Sequence, residues 1–196
     1  MAARAAKPDR AGRVGGIGKL IKIDRADASA LGPIVSSAHL ASGAMPVLSE
    51  LEFGMILLDH AFERWMVRCI AAAGVPDLSP LDVLVLHTIA HRGRAKRVAD
   101  ICLVLNIEDT HLVTYSLKKL DGHKLLLSGK RGSEKTVSLT PKGEEVVQRY
   151  RKVRELLLVK SVKSAGMDEK RLSEIAALMR ALSGHYDQAA RAAASL

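Results

Sequence analysis

Residues 98–123, VADICLVLNIEDTHLVTYSLKKLDGH, constrain this chain more than any other stretch. They predict a short amphipathic helix, an abrupt turn at Asn106 and a second helix over 108–121 that ends among lysines. Helical residues advance by about 100°, so with Val113 at the centre of a buried face, Leu117 and Leu120 fall within about 40° of it and Ser116 lies near the same side. The opposite side presents His111, Thr114, Tyr115 and Lys118, whose hydrogen-bonding or cationic groups suit base edges and phosphates in a major groove. Thr110 in the first turn and Lys119 on the flank can add phosphate contacts. Glu108 and Asp109 stand where a helix start favours a cap and negative charge.

The flanking sequence builds a frame around this pair. Leu51, Met55, Leu58, Phe62, Trp65 and Cys69 recur at spacings of four and three, one apolar stripe of a long helix. Ser49 is its expected cap, with Glu52 completing a capping box, and Gly74 and Pro76 end it. Ser79-Pro80 starts a mostly buried helix that runs to Gly93. Beyond the quoted stretch, Leu125–Ser128 and Thr136–Leu139 are β-prone runs around a polar loop with Gly129 and Gly132, a hairpin with a basic tip. Thr140-Pro141 caps a helix to about Ala165, Gly166 and Asp168 break it, and a last helix aligns Leu172, Ile175, Met179, Leu182, Tyr186 and Ala189 in a heptad-like seam. Helix, helix, helix and hairpin in this order make a winged helix-turn-helix. The fold class expected is therefore mainly α (α+β), a small β-hairpin wing with long helices on either side. The flanking helices carry more apolar seam than a small central domain can cover, and a helical homodimer interface would bury it.

Composition agrees and excludes alternatives. Apolar residues reach 48% but aromatics only 3%, so Leu, Val, Ile and Ala must build the interior, which suits helices. The net charge is +9, and residues 91–142 carry eleven basic against five acidic side chains, which points to a polyanion. No run approaches the roughly 18 apolar residues that span a bilayer, and the basic N-terminus lacks an apolar signal core, so no membrane partner and a cytoplasmic location are expected. Residues 1–48 read as a flexible basic arm, apolar and proline-punctuated over 26–48.

Chemistry other than binding finds little support. There is no Gly-rich loop between strand and helix, no G-x-S-x-G and no H-E-x-x-H, so the chain is not expected to be an enzyme, and no cofactor is expected. Cys69 continues the apolar stripe and Cys102 takes a small buried position, without a CxxC pair. An oxidant-sensing thiol would need a cation nearby to lower its pKa. His87 and His91 are four apart and could share a metal only with a third ligand that the sequence does not supply, so no metal site is expected.

IEDTHLVTYSLKKLDGHKLL resembles the recognition-helix pattern of the MarR family of bacterial transcription regulators. KTVSLTPKGEEVV is similar to that family's passage from wing strand to helix, with Leu-Thr-x-x-Gly, here Leu139, Thr140 and Gly143, its most specific piece. The likeness covers 79–150 well, and 49–78 and 151–190 by helix pattern. More narrowly, LSPLDVLVLH and the long basic arm look like an alphaproteobacterial branch that includes the regulator of an L,D-transpeptidase. The resemblance implies a MarR-like domain over 49–196, with the winged helix-turn-helix at 79–142 and dimerisation helices at 49–75 and 143–192. It implies a sequence-specific, ligand-responsive homodimer on a near-palindromic stretch of double-stranded DNA. Lys130, Arg131 and Lys135 would be its wing contacts, and a small aromatic effector would meet Phe62, Trp65, Met66 and Arg68. The alternative is a winged-helix module that pairs with proteins without sequence-specific DNA binding. Two positions depart from the family: the wing tip reads SGKRGSEK where an Asp-x-Arg turn is usual, leaving Arg131 as the substitute, and Lys124 stands where a glycine follows the recognition helix, which could displace the helix end.

Overall fold

The computed structural model describes residues 32–196, and the chain divides into two units, 1–58 and 59–196. Residues 1–31 of the expected arm lie outside the described residues. In the first unit a 3-10 turn, Leu40–Ser42, precedes the long helix α1, Pro46–Ala72, which runs on into the second unit. That helix starts three residues before the expected Ser49 cap. Proline at the first helical position has φ already set and no N–H to leave unsatisfied, so Pro46 can open the helix and Ser49 lies inside it.

In the second unit α2, Pro80–Ala90, begins with a complete capping box: Ser79 Oγ accepts from Asp82 N at 3.2 Å, and Ser79 N donates to the Asp82 carboxylate at 2.8 Å. A 3-10 turn, His91–Gly93, leads to α3, Val98–Leu105, and then to α4, Thr110–Gly122. The hairpin follows as β1, Leu126–Arg131, and antiparallel β2, Glu134–Leu139, in register from Leu126 opposite Leu139 to Arg131 opposite Glu134. The strands are longer than expected and the loop shorter. Gly132, at φ 64°, supplies the left-handed residue that a two-residue hairpin turn requires, so Lys130, Arg131 and Lys135 sit on strands and not in a loop. Lys96 pairs with Val137 and adds a short bridge to the sheet.

Helix α5, Pro141–Arg154, passes through a π turn, Glu155–Val159, into α6, Lys160–Ser164; the final helix α7, Glu169–Ala193, is capped by Asp168. The core of this unit joins Met66, Cys69 and Ile70 of α1 to Val83, Leu86 and Ile89 of α2, Ile101 of α3, Val113 and Leu120 of α4, and Val146 and Tyr150 of α5. Burying a leucine- or isoleucine-sized side chain is worth about 1.5–3 kcal/mol, so this shared core holds the helices and wing together. The predicted apolar stripe of α1 reaches it only from Trp65 onward, and Leu58 and Phe62 stay 58% and 46% exposed. The α7 seam is uncovered too, with Ile175 46% and Met179 41% exposed.

Candidate nucleic-acid interface

Asn106 ends α3 in the left-handed conformation, φ 54°, which asparagine tolerates better than most residues, and the chain turns directly toward α4. The Asp109 carboxylate caps α4 by accepting from His111 N at 2.8 Å, so the helix begins at Thr110, two residues later than expected. Val113, Ser116 and Leu120 are buried against the core, and their burial leaves His111, Thr114, Tyr115 and Lys118 on the exposed side. Tyr115 is 71% exposed. The Thr114 hydroxyl donates to the Thr110 carbonyl at 2.9 Å, which leaves its oxygen free to accept and its methyl free to meet an apolar edge. Thr110 is exposed at the start of the same face.

Lys119 is placed differently from the sequence expectation. Its ammonium lies 3.1 Å from the carboxylate of Asp82, whose side chain is 2% exposed, and so is already paired. Burial opposes ionisation of Asp82, yet its carboxyl lies below the usual carboxylate value because hydrogen bonds from Ser116, Ser79 and Lys119 together outweigh that penalty.

The wing brings a different set of charges to α4. Lys130 and Lys135 are directly opposite each other across the hairpin, a like-charge pair that is unfavourable in an isolated sheet. With Lys96 and Lys118 they line a groove of about 500 Å³ between α4 and the wing, which Thr114 also borders and where Asp121 is the one acid. Four lysines line this groove, though the Lys96 ammonium donates to the His91 carbonyl at 2.8 Å, and together they raise the local potential for a phosphate backbone. Arg131 sits opposite Glu134 and lines a second cavity of about 740 Å³ with Arg92, Arg94, Arg97, His87 and His91. Sequence reasoning passed over Arg92 and Arg94, although the run RGRAKR at 92–97 carried the signal.

Helix α4 ends at Gly122. Lys124 adopts φ 60°, its N–H donates to the Asp121 carbonyl at 2.7 Å and Leu125 N donates to Leu120 at 3.1 Å, the hydrogen bonding of a glycine-terminated helix made with a lysine. Gly143 of the Leu-Thr-x-x-Gly sequence has its own cause: a Cβ there would run into the backbone carbonyl of Leu125.

The four expected effector contacts all lie on α1. Met66 is buried, Phe62 and Arg68 are exposed, Trp65 is half-buried within hydrogen-bonding reach of the Tyr150 hydroxyl, and none lines the two cavities above. Both cysteines are buried, and burial pushes the Cys69 thiol up, away from the thiolate. His87 packs its ring edge against Tyr150 at 4.4 Å, and burial lowers its pKa. Among the described residues no group of three His, Cys, Asp or Glu side chains is placed to hold a metal ion, and no helix is long and apolar enough to cross a membrane.

Residues 78–143 match the family model described as a winged helix DNA-binding domain. The chain's fold is that of MarR-family regulators. It is similar to a MarR family regulator from Neisseria meningitidis at TM-score 0.57 and 20% identity, over 72% of this chain and 94% of that one. It is similar to S. aureus MepR, solved as a DNA complex, at TM-score 0.54 and 16% identity over 68% and 94%. CouR, a transcriptional repressor bound to p-coumaroyl-CoA, is similar at TM-score 0.52 and 18% identity over 66% and 88%. No curated protein matches the sequence.

Proposed function

We propose that this protein is a MarR-type transcription regulator that binds double-stranded DNA as a homodimer and selects a near-palindromic operator. The groove lined by Lys96, Lys118, Lys130 and Lys135 carries the reading, because it brings Lys118 of the exposed face of α4 beside Lys130 and Lys135 of the wing, with the Lys96 ammonium held nearby by the His91 carbonyl. A phosphate in that groove relieves the repulsion between Lys130 and Lys135 and sets His111, Thr114, Tyr115 and Lys118 over base edges. Thr110 and Arg131 extend the contact at either side, and the paired Lys119 supports it from behind. The open seam on α7 and the uncovered first half of α1 support a second copy as the partner. Paired half-sites would then lie about 34–36 Å apart. Such a protein works where the chromosome is, in the cytoplasm.

Effector control follows the same reading. The cavity beside Arg92, Arg94 and Arg131 also has Leu84, Val104 and Leu105 in its wall, with Arg97 there already paired to Asp100 and Glu134, which suits a ligand with an anionic group and an apolar body. CouR, with its bound acyl-CoA, is one relative in fold that takes a ligand of that chemistry. Phe62, Trp65, Met66 and Arg68 remain candidates for a small aromatic effector in a site completed by the partner. A ligand that prefers a spread of the two domains unable to match the half-site spacing would release DNA.

Selection of bound fragments from genomic DNA, followed by salt titration on the recovered site, tests the function. A recovered palindrome is expected. Replacing Lys130 and Lys135 together by Ala is expected to lower the slope of log affinity against log salt by about 1.8, some 0.9 for each lost phosphate contact. Tyr115→Ala is expected to weaken binding to the selected site more than to random DNA. No enrichment and a flat salt response would instead support the protein-interaction module.

A further inference from the structure

The inner side of α4 carries two polar residues, Ser116 and Lys119, three positions apart and so on one face. Both reach the carboxylate of Asp82 on α2, Lys119 at 3.1 Å and Ser116 through its hydroxyl. The same carboxylate accepts from Ser79 N at 2.8 Å, which ties it to the start of its own helix. Three donors from two helices thus converge on one buried acid.

Apolar contacts cannot do the same job. Val113 and Leu120 hold α4 against the core, but hydrophobic contact has no direction and permits small rolls and slides. A hydrogen bond fails once its length or angle departs far from its narrow optimum. One such bond would leave α4 free to pivot about it, whereas two donors one turn apart oppose both roll and slide. The tolerance is small: side-chain tips lie about 5–6 Å from a helix axis, so a 20° roll moves the tip of Tyr115 or Lys118 by about 2 Å. That displacement breaks a base contact while long, flexible lysines can still find phosphates.

We propose that Asp82 is a positioning residue which, through Ser116 and Lys119, sets the rotation and axial placement of α4, so that Lys119 supports sequence discrimination without touching DNA. A buried ion pair is weak evidence for net stability, and specificity of arrangement is the better-attested use of one. This proposal rests on the DNA-binding reading, and the test separates the two.

Wild type, Lys119→Met, Lys119→Arg, Ser116→Ala and Asp82→Asn are titrated across salt against the selected palindrome and a random duplex. For Lys119→Met the ratio of palindrome to random affinity is expected to fall about 10-fold, the size of one lost base discrimination, with the salt slope unchanged. Lys119→Arg is expected to retain the ratio within about 3-fold, since it keeps a charged donor. Ser116→Ala, a smaller lesion should Lys119→Met or Asp82→Asn fail to fold, is expected to lower the ratio by a smaller factor. An equal loss on both duplexes for Lys119→Met with a slope lower by about 0.9 would make Lys119 a phosphate contact and overturn the proposal. An unchanged ratio in Ser116→Ala and in every folded Asp82 or Lys119 variant overturns it as well. A wild-type protein that selects no sequence overturns the functional reading itself, an outcome distinct from either.

Discussion

Arg97 Nη1 donates to both carboxylate oxygens of Glu134, at 3.0 and 3.2 Å, and joins the start of α3 to the second strand of the wing. The same guanidinium donates through Nε and Nη2 to Asp100, so it serves helix and hairpin together. Beside it the Lys96 and Val137 backbones exchange two hydrogen bonds of 2.8 Å. Glu134→Gln removes the ion pair and keeps the shape, so amide exchange at Lys96 and Val137 is expected to accelerate. The pair is solvent-exposed, which limits the change to a few-fold and makes it shrink as salt rises. Exchange rates from NMR in low and high salt check this; equal rates in variant and wild type would detach the wing from Arg97.

Lys124 occupies a left-handed position at φ 60° that costs an L-residue with a Cβ about 1–2 kcal/mol. Glycine adopts it freely but loses more chain entropy on folding. Lys124→Gly is therefore expected to stabilise the protein by about 0.5–1 kcal/mol, read as a rise in the urea midpoint with no change in its slope. A drop would mean that the lysine side chain contributes a contact larger than its backbone strain.

Gly143→Ala is expected to act in the opposite direction. Its Cβ would enter the space of the Leu125 carbonyl, and the displaced groups are backbone, so nothing flexible can yield. Leu125 also accepts from Thr140 N at 2.9 Å, which couples the clash to the joint between wing and α5. A loss of about 1–3 kcal/mol or more is expected from thermal or urea unfolding.

His87 links stability to pH. Burial lowers its folded pKa below the value in the unfolded chain, about 6.5, and its Nε2 is buried with no hydrogen-bond partner. As pH falls below about 6.5, the unfolded chain takes up a proton that the folded protein resists, so this contribution to stability is present above that pH and lost below it. His87→Phe keeps an aromatic ring against Tyr150 and removes the titration. The urea midpoint of the variant is expected to fall less than that of wild type between pH 7.5 and 5. Parallel declines in the two proteins would remove His87 as a source of the acid sensitivity.

Much of the domain was legible in sequence because its signals are local. Asn106 announced the turn, Ser79-Pro80 the start of α2, Val113, Leu117 and Leu120 the inner face of α4, and Thr140 the cap of α5. The errors came where two local signals competed or where the partner was distant. The capping pattern puts the start of α1 at Ser49, whereas proline's fixed φ lets Pro46 open the helix three residues earlier. The outward-facing set on α4 could be read from periodicity, but nothing local showed that Lys119 on its flank is paired with an acid. One residue's difference in rotation turns Lys119 toward Asp82, 37 positions earlier in the chain.

The amino-acid pattern by itself determined the elements, their order and which face of α4 must be buried, since caps, turns and helical periodicity act over a few residues. Tertiary structure decided which charges are free. Packing α4 on α2 pairs Lys119 with a buried carboxylate, and the hairpin register sets Lys130 against Lys135 beside Lys118 and Lys96. Electrostatic interaction depends on distance and solvent exposure, and neither is defined for residues far apart in sequence until the chain has folded.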